Sequence, residues 1–368
     1  MGCAGLSLAV QLIQSGVKFE KVLLIDKSPK QHNDRTWCFW TKEQNQWYEP
    51  IVYKSWKQFK FSSTNFSDNL DLNPYQYKLI RGIDFYEHCL NVISNDKRFT
   101  IAYDTIINIK SENDKALLQT KLGNYNANYI FNSAIINHHK QLQHINYVQH
   151  FKGWVIEINT DCFNDECPTF MDFSIEQHND CRFVYIIPHN KRKALIEYTG
   201  FSAKSISDTE YDEFLKQYLE QTLKLTNYSI TEIEKGEIPM AESDFINPYG
   251  NKVINIGTAG GYSKPSTGYT FYFIQRYVND IITQIKHNRT ITAPVQKNKY
   301  KFFDKVLLQV IDDKKIPAAE VFAGLFKHNK TTDLLAFLNE ETNFITDLKI
   351  MNSVSKKIFV PAAIKKLL

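Results

Sequence analysis

Apolar residues recur at helical spacing at the start of the chain and switch to strand alternation soon after. Leu6, Leu8, Val10, Leu12 and Ile13 place an apolar face on a helix from about Ala4 to Ser15, which Gly16 closes as a C-cap. The run Lys21–Ile25 predicts a strand that delivers Asp26. From Trp47 to Tyr77 polar and aromatic residues alternate, as in antiparallel strands and hairpins. Leu79–Phe85 leads from a strand into an amphipathic helix over about Asp84–Ser94. Phe99–Ile109, Lys115–Lys121 and Tyr125–Phe131 predict a three-strand meander, and Tyr129–Ala134 a strand leaving toward the site formed by the first glycine turn. Val148–Asn159 alternates with period two and opens a second antiparallel region. There Arg182–Pro188 and Lys193–Thr199 form a hairpin through His189, Asn190, Lys191 and Arg192, and Thr209–Leu225 is an amphipathic helix. Val253–Ile256 meets a second glycine-rich turn, Gly257–Tyr262, and then a helix over Thr270–Lys286. The remainder is helical, with Phe303, Leu307, Val310 and Ile311 on one apolar stripe.

The two glycine-rich turns carry the first candidate chemistry. Gly2 and Gly5 fall where the last two glycines of G-x-G-x-x-G stand in a dinucleotide-binding β-α-β unit. Gly2 lets backbone amides approach a pyrophosphate, and Gly5 lets the helix pack tightly on the sheet. Asp26 lies about 20 residues further on, where an acid holds a ribose hydroxyl pair. An ordinary helix–strand pair with small residues at its start is the alternative. The first glycine of the motif falls one residue before Met1, so the chain is expected to begin inside its motif, with about 5–8 residues of a first β-strand missing upstream.

Composition narrows the class. A chain of 368 residues with 43% hydrophobic and 23% charged content reads as a globular protein of roughly two domains. A net charge of +4 is too slight to argue for nucleic acid and is compatible with an anionic membrane surface. Aromatic residues make up 14%, which fits a large apolar substrate or surface and equally an A+T-rich coding habit. No apolar run is long enough for a transmembrane helix. The six cysteines form no CxxC pair and have no histidine at ligand spacing, so free thiols are expected and no metal site.

Several short motifs stand out in order: Gly2–Ala9, Asp34-Arg35-Thr36-Trp37-Cys38-Phe39-Trp40, His150-Phe151-Lys152-Gly153-Trp154, Met171-Asp172-Phe173, Ala194–Thr199, Gly236-Glu237-Ile238-Pro239-Met240, and Gly257–Gly261 through Ser266–Tyr269. Together they resemble the flavin-dependent lycopene cyclases, over residues 1 to about 275 and more loosely beyond. The resemblance implies an α/β protein: a Rossmann-like FAD-binding domain (1–50, 78–148 and 237–290) interleaved with an antiparallel-sheet substrate domain (51–77 and 149–236), then a helical C-terminal region (291–368). By motif, Gly2, Ala4, Gly5 and Asp26 would hold the ADP part of FAD. Gly257, Ala259, Gly260 and Gly261 would hold the pyrophosphate and flavin end. Arg81 would meet a phosphate, with a surface arginine as the other reading. Thr258 stands where the wider flavoprotein group often carries an Asp.

The implied reaction is acid-initiated, redox-neutral cyclisation of lycopene ends to β-ionone rings, giving γ-carotene and β-carotene. FAD would be kept reduced by NAD(P)H and stabilise the cation electrostatically. Glu197 matches the acid of the family motif, and its neighbours Leu195, Ile196 and Tyr198 predict a desolvated carboxyl with a raised pKa, with a strand acid facing solvent by alternation as the other reading. Asp172 and Glu237 are candidate further carboxylates of the site, each also readable as a structural acid. Trp37, Phe39, Trp40 and Trp154 are candidates for an aromatic cavity that stabilises positive charge. Glu340 and Glu341 in Phe337–Thr342 imitate the acid motif and are expected to be solvated charges at a helix end. Lycopene lives in the bilayer, so a cytoplasmic enzyme bound peripherally to a membrane follows; the basic, apolar stretch Lys356–Leu368 reads either as one contact or as a packed tail with solvated lysines. The competing readings are a flavin-dependent isoprenoid reductase or monooxygenase, and a non-catalytic protein that binds flavin or carotenoid.

Overall fold

The computed structural model describes residues 1–134, 147–240 and 247–367, and its architecture is mixed α/β. The first helix, Cys3–Gln14, buries Leu6, Leu8 and Val10 against helix Phe271–Lys286 and helix Gly82–Ser94. Beside these helices run two separate parallel ribbons. One pairs Val22–Asp26 with Phe99–Tyr103, and the other pairs Ile130–Asn132 with Val253–Asn255. Phe99–Tyr103 therefore leaves the expected meander, which consists of Ile106–Glu112, Lys115–Thr120 and Asn124–Ala127. Its apolar residues Phe99 and Ile101 pack into the core of the first helix, which outweighs local hairpin pairing.

A seven-stranded sheet forms the second body of structure. Its order is Ser229–Met240, Tyr147–Glu157, Lys193–Ser202, Cys181–Asn190, Thr169–Asp172, Gln58–Ser62, Ser67–Asp71. Successive side chains on a strand point to opposite faces, so each strand feeds two cores. One face presents Val155, Leu195, Phe183, Tyr185 and Ile187 to Trp40, Tyr77 and the C-terminal helices. The other presents Trp154, Ile156, Val184, Ile196 and Tyr198 to helix Asp208–Gln217. That helix starts with a reciprocal capping box between Ser207 and Glu210, and a π-turn over Tyr218–Thr222 extends it. A third sheet of Thr36–Thr41, Gln76–Arg81 and Lys54–Trp56 stands between the ribbons and the large sheet.

Helices Asn298–Asp313, Ala318–His328 and Thr331–Leu338 cover the first face through Leu308, Ile311, Phe322, Phe326, Leu334 and Leu335. Two more helices, Phe344–Ser353 and Lys356–Leu367, complete the described chain. The expectation of solvated acids is overturned at Glu340, while Glu341 stays exposed but fully engaged by hydrogen bonds. Glu340 is only 2% exposed, has a left-handed φ of 62°, and lies 3.2 Å from Lys264 Nζ, which also reaches Asp304 Oδ1 at 2.8 Å. Glu341 accepts from Lys42 at 3.0 Å, Tyr75 at 2.9 Å and Tyr272 at 2.5 Å. These acids fasten the C-terminal helices to the segment after the second glycine turn, which is why the chain bends inward at this helix end.

Candidate active site

The strand Tyr147–Glu157 lies between two others, and their registers converge on one position. Gly153 is paired with Glu197 on one side and with Glu234 on the other. Tyr185 is the next residue in the row, opposite Glu197. Four adjacent strands thus carry Tyr185, Glu197, Gly153 and Glu234 across one face of the sheet. Glycine leaves the space above its backbone free, and the two carboxyls fill it. A Cβ at residue 153 would lie 2.7 Å from Leu195 Cδ1, 3.2 Å from Glu197 Cβ and 3.3 Å from Glu234 Cγ.

The two carboxyls stand side by side, close enough to interact directly. Thr199 Oγ1 donates to Glu197 Oε1 at 2.9 Å, and Thr36 Oγ1 donates to Glu234 Oε2 at 2.7 Å. Glu234 is 6% exposed, while Glu197 keeps a partly accessible edge. Burial first, and the Glu234 charge second, push Glu197 well above the usual carboxyl range. Burial also raises Glu234, opposed by its hydrogen bonds to Glu197 and Thr36. Burial and like charge together oppose ionisation of both carboxyls at once.

The Asp34–Trp40 motif positions this pair. Asp34 accepts from Tyr86 of helix Gly82–Ser94 at 2.8 Å, while Arg35 donates to the Lys235 carbonyl at 3.1 Å and Thr36 reaches Glu234, so two consecutive residues dock the strand Ser229–Met240. Cys38 and Trp40 follow on the same face as Thr36. Tyr185 lies 3.4 Å from Tyr269, hydroxyl to hydroxyl, and Tyr77 and Cys38 lie within electrostatic reach of this pair. The Trp40 ring meets Tyr269 edge-on at 4.5 Å, and its Nε1 donates to the Leu335 carbonyl at 3.1 Å.

The glycine turns meet elsewhere. Gly2 is the N-cap of helix Cys3–Gln14, which has no side-chain cap and no acid in its first turn, so its leading amides suit an anion. The second turn, Gly257–Gly260 closed by left-handed Gly261, packs directly on that helix: a Cβ at Gly257 would lie 2.9 Å from Ala4 Cβ. At the turn's entry the buried Asn255 Nδ2 has no hydrogen-bond partner. Asp26 ends the first ribbon, held by the Met1 amino group at 2.7 Å and Lys30 at 3.3 Å.

The sequence matches the lycopene cyclase protein family over residues 1–361. The chain belongs to that family. No curated protein sequence gives a significant match. Among solved structures, a geranylgeranyl bacteriochlorophyll reductase-like protein from Thermoplasma acidophilum is 12% identical with a TM-score of 0.63, covering 100% of this chain and 96% of that one. An HpxO variant of Klebsiella pneumoniae complexed with FAD is 11% identical with a TM-score of 0.62, covering 92% and 96%. The halogenase PltM in complex with phloroglucinol and FAD is 12% identical with a TM-score of 0.53, covering 98% and 84%. At such identities the likeness is one of fold.

Within this lycopene cyclase fold the residues singled out from sequence fall into separate places. Gly2, Ala4, Gly5 and Gly257–Gly261 lie together around the start of the first helix. Arg81 is engaged by Asp84 through two bonds of 2.6 Å and lies over the Tyr53 ring, so its charge is already matched. Asp172 is not brought to Glu197. Its oxygens accept from Tyr218 at 2.6 Å and from the Ser174 amide at 2.9 Å, on the face that holds helix Asp208–Gln217. Glu237 is exposed and stands opposite His150; three positions from Glu234 on one strand, it points to the other face. Trp154 follows Gly153 and for the same reason lies behind the sheet, its Nε1 buried without a partner. Trp37 and Phe39 turn toward Phe85 and Phe271, leaving Trp40 on the carboxyl side. Glu234, Tyr185, Tyr269 and Tyr77 were missed. The available signal was Gly153 itself, a glycine inside an aromatic strand, which marks close approach by something else.

Proposed function

We propose that this lycopene cyclase family member closes the ends of lycopene into β-ionone rings, with Glu197 as the acid. The observation that carries the reading is a desolvated carboxyl kept protonated beside an aromatic face. Protonating an isolated double bond requires a proton donor that is not spent on water, and burial with an anionic neighbour keeps Glu197 loaded at neutral pH. Its proton forms a new C–H bond at the terminal double bond. The next double bond attacks the resulting cation, and a ring proton leaves to restore a neutral product. Trp40, Tyr185 and Tyr269 supply ring faces or hydroxyls near the charge, and cation–π attraction favours such placement.

FAD suits the two glycine turns. The uncapped amides at Gly2, the glycine turn at Gly257–Gly261 and the orphaned Asn255 Nδ2 fit a dinucleotide, with Asp26 as the candidate ribose partner and Arg81 as the weakest candidate, since Asp84 already holds it. When bound and reduced, with NAD(P)H as donor, FAD would supply electrostatic stabilisation of the cation.

The substrate is a bilayer solute, and the C-terminal helices offer a surface for an anionic bilayer. Phe344, Ile345, Leu348 and Met351 lie on one exposed side of helix Phe344–Ser353, the first two at 72% and 66% exposure. Helix Lys356–Leu367 likewise exposes Val360, Ile364 and Leu367. From Leu348 onward the chain carries Lys349, Lys356, Lys357, Lys365 and Lys366 and no acid, a charge pattern complementary to acidic headgroups.

Pigment analysis tests the function. Lycopene-accumulating bacteria expressing the protein should make cyclic carotenes, and those expressing Glu197→Gln should keep lycopene. Persistence of lycopene with a folded, flavin-loaded protein would overturn the reading.

A further inference from the structure

We infer that Glu234 is a positioning residue that shares one proton with Glu197 above Gly153, and that this pair, rather than Glu197 alone, holds the proton of the site. The inference rests on the cyclase reading for its chemistry, and on sheet geometry for the pair itself. Neighbouring strands lie about 4.8 Å apart, so strands on either side of a third are separated by roughly 9–10 Å. Two glutamates facing inward across that distance meet only if the middle residue has no side chain. Gly153 provides that gap, and the Cβ distances given above show that it is already filled by the two acids and Leu195.

The groups around the pair bias where the charge sits. Thr36 donates to Glu234 from strand Thr36–Thr41, and the Arg35 charge beside it also favours a Glu234 carboxylate. Glu232 on the same strand as Glu234 opposes it, and Glu232 itself faces Lys193 at 3.7 Å. Around Glu197 stand the Thr199 hydroxyl, Tyr185 from the neighbouring strand and Cys38, with Tyr77 and Tyr269 next beyond them. Every one of these last groups is neutral. The negative charge therefore rests on Glu234 and the proton on Glu197.

A cycle follows in which protons and electrons balance. The Glu197 proton leaves its oxygen and forms a C–H bond on the terminal alkene, which leaves two carboxylates in contact. That state has a high proton affinity. Ring closure consumes the second alkene's π pair to form a C–C bond. The ring proton then returns to the pair, its C–H electrons making the new double bond. No electron leaves, so nothing is oxidised or reduced overall.

Infrared titration of the full chain, following the C=O stretch of protonated carboxyls, tests the pair without any turnover, and the alkaline limb of the activity profile gives a second reading. In wild type one such band should persist above neutral pH, and Glu197→Gln should remove it. Glu234→Gln should move its midpoint and the alkaline limb to lower pH by about a unit or more, as loss of an adjacent carboxylate does. Thr36→Val keeps both acids but removes the donor to Glu234, so it should move both upward. A band lost in Glu197→Gln but unmoved in the other two variants overturns the pair and leaves the cyclase reading standing. A paired titration in a protein that leaves lycopene untouched does the reverse. If Glu234→Gln does not fold, the Thr36→Val shift decides alone, because a purely structural threonine would change stability without moving the midpoint.

Discussion

Glu197 and Glu234 face each other from two strands that do not touch, separated by a strand whose residue at that level is Gly153. The contact is a product of register. A slip of one residue in either neighbour would turn one acid to the opposite face and leave the other unpaired. Gly153→Ala should therefore be costly in two ways. Its Cβ would enter contacts of 2.7 to 3.3 Å, an overpacking penalty of about 1–3 kcal/mol, and it would part the carboxyls. Urea unfolding would read the first effect. The infrared titration would read the second, as a drop in the midpoint.

Glu197→Gln should lower the cyclisation rate about 10²–10⁴-fold, the usual contribution of a positioned acid, with little change in flavin binding. Rapid-quench assays with flavin content measured by absorbance would check it. Equal loss of flavin and activity would point to a folding defect instead.

The same substitution should reshape the stability curve. Glu197 has a raised folded pKa, so its contribution is fully present below its unfolded pKa of about 4.3 and is lost as pH rises through the folded value. Glu197→Gln should thus unfold at a higher temperature than wild type in mildly alkaline buffer, and the gap should close toward about pH 5. His150 acts from the acid side. Burial, and Arg182 next, lower it to about 4, with Tyr211 at 2.5 Å and Ser202 at 2.9 Å on its ring nitrogens. A depressed pKa stabilises above the unfolded value of about 6.5, and that contribution is lost as pH falls toward about 4. Melting temperature against pH, for wild type and His150→Gln, should show a shallower acid slope in the variant.

How much of this was legible in the sequence depends on how local each feature is. The first helix, the strand ending at Asp26 and the glycine turns were readable because periodicity and glycine act over a few residues. The desolvation of Glu197 was readable from its apolar neighbours. Glu234 was not, since its meaning comes from register across a third strand. Alternation alone did carry one unused lesson: Trp37 and Phe39 cannot share a face with Trp40 on one strand, nor can Trp154 share one with Gly153. Glu340 misled because a charged pair after a helix is usually solvated, whereas here a buried lysine from a distant segment meets it.

Lys264→Met should expose how much that segment matters. It would leave Asp304 buried without its cation and Glu340 with only Arg276 at 3.9 Å, a loss of about 3–5 kcal/mol. Guanidinium unfolding at neutral pH would measure it.

The exposed stripe should govern vesicle binding. Co-sedimentation with vesicles containing anionic lipid should be stronger than with neutral vesicles and weaken with salt. A triple variant, Phe344→Ser, Ile345→Ser and Leu348→Ser, should reduce partitioning by about tenfold or more. Equal binding by the variant would place the membrane contact elsewhere.

The most direct test of acid-initiated cyclisation is the mass of the product formed in heavy water. Purified protein with reduced flavin and lycopene in liposomes should give cyclic carotene carrying solvent deuterium in the ring, otherwise isomeric with its substrate, with no oxygen and no added hydrogen pair. A product heavier by oxygen or by two hydrogens, or a ring free of deuterium, would contradict the account.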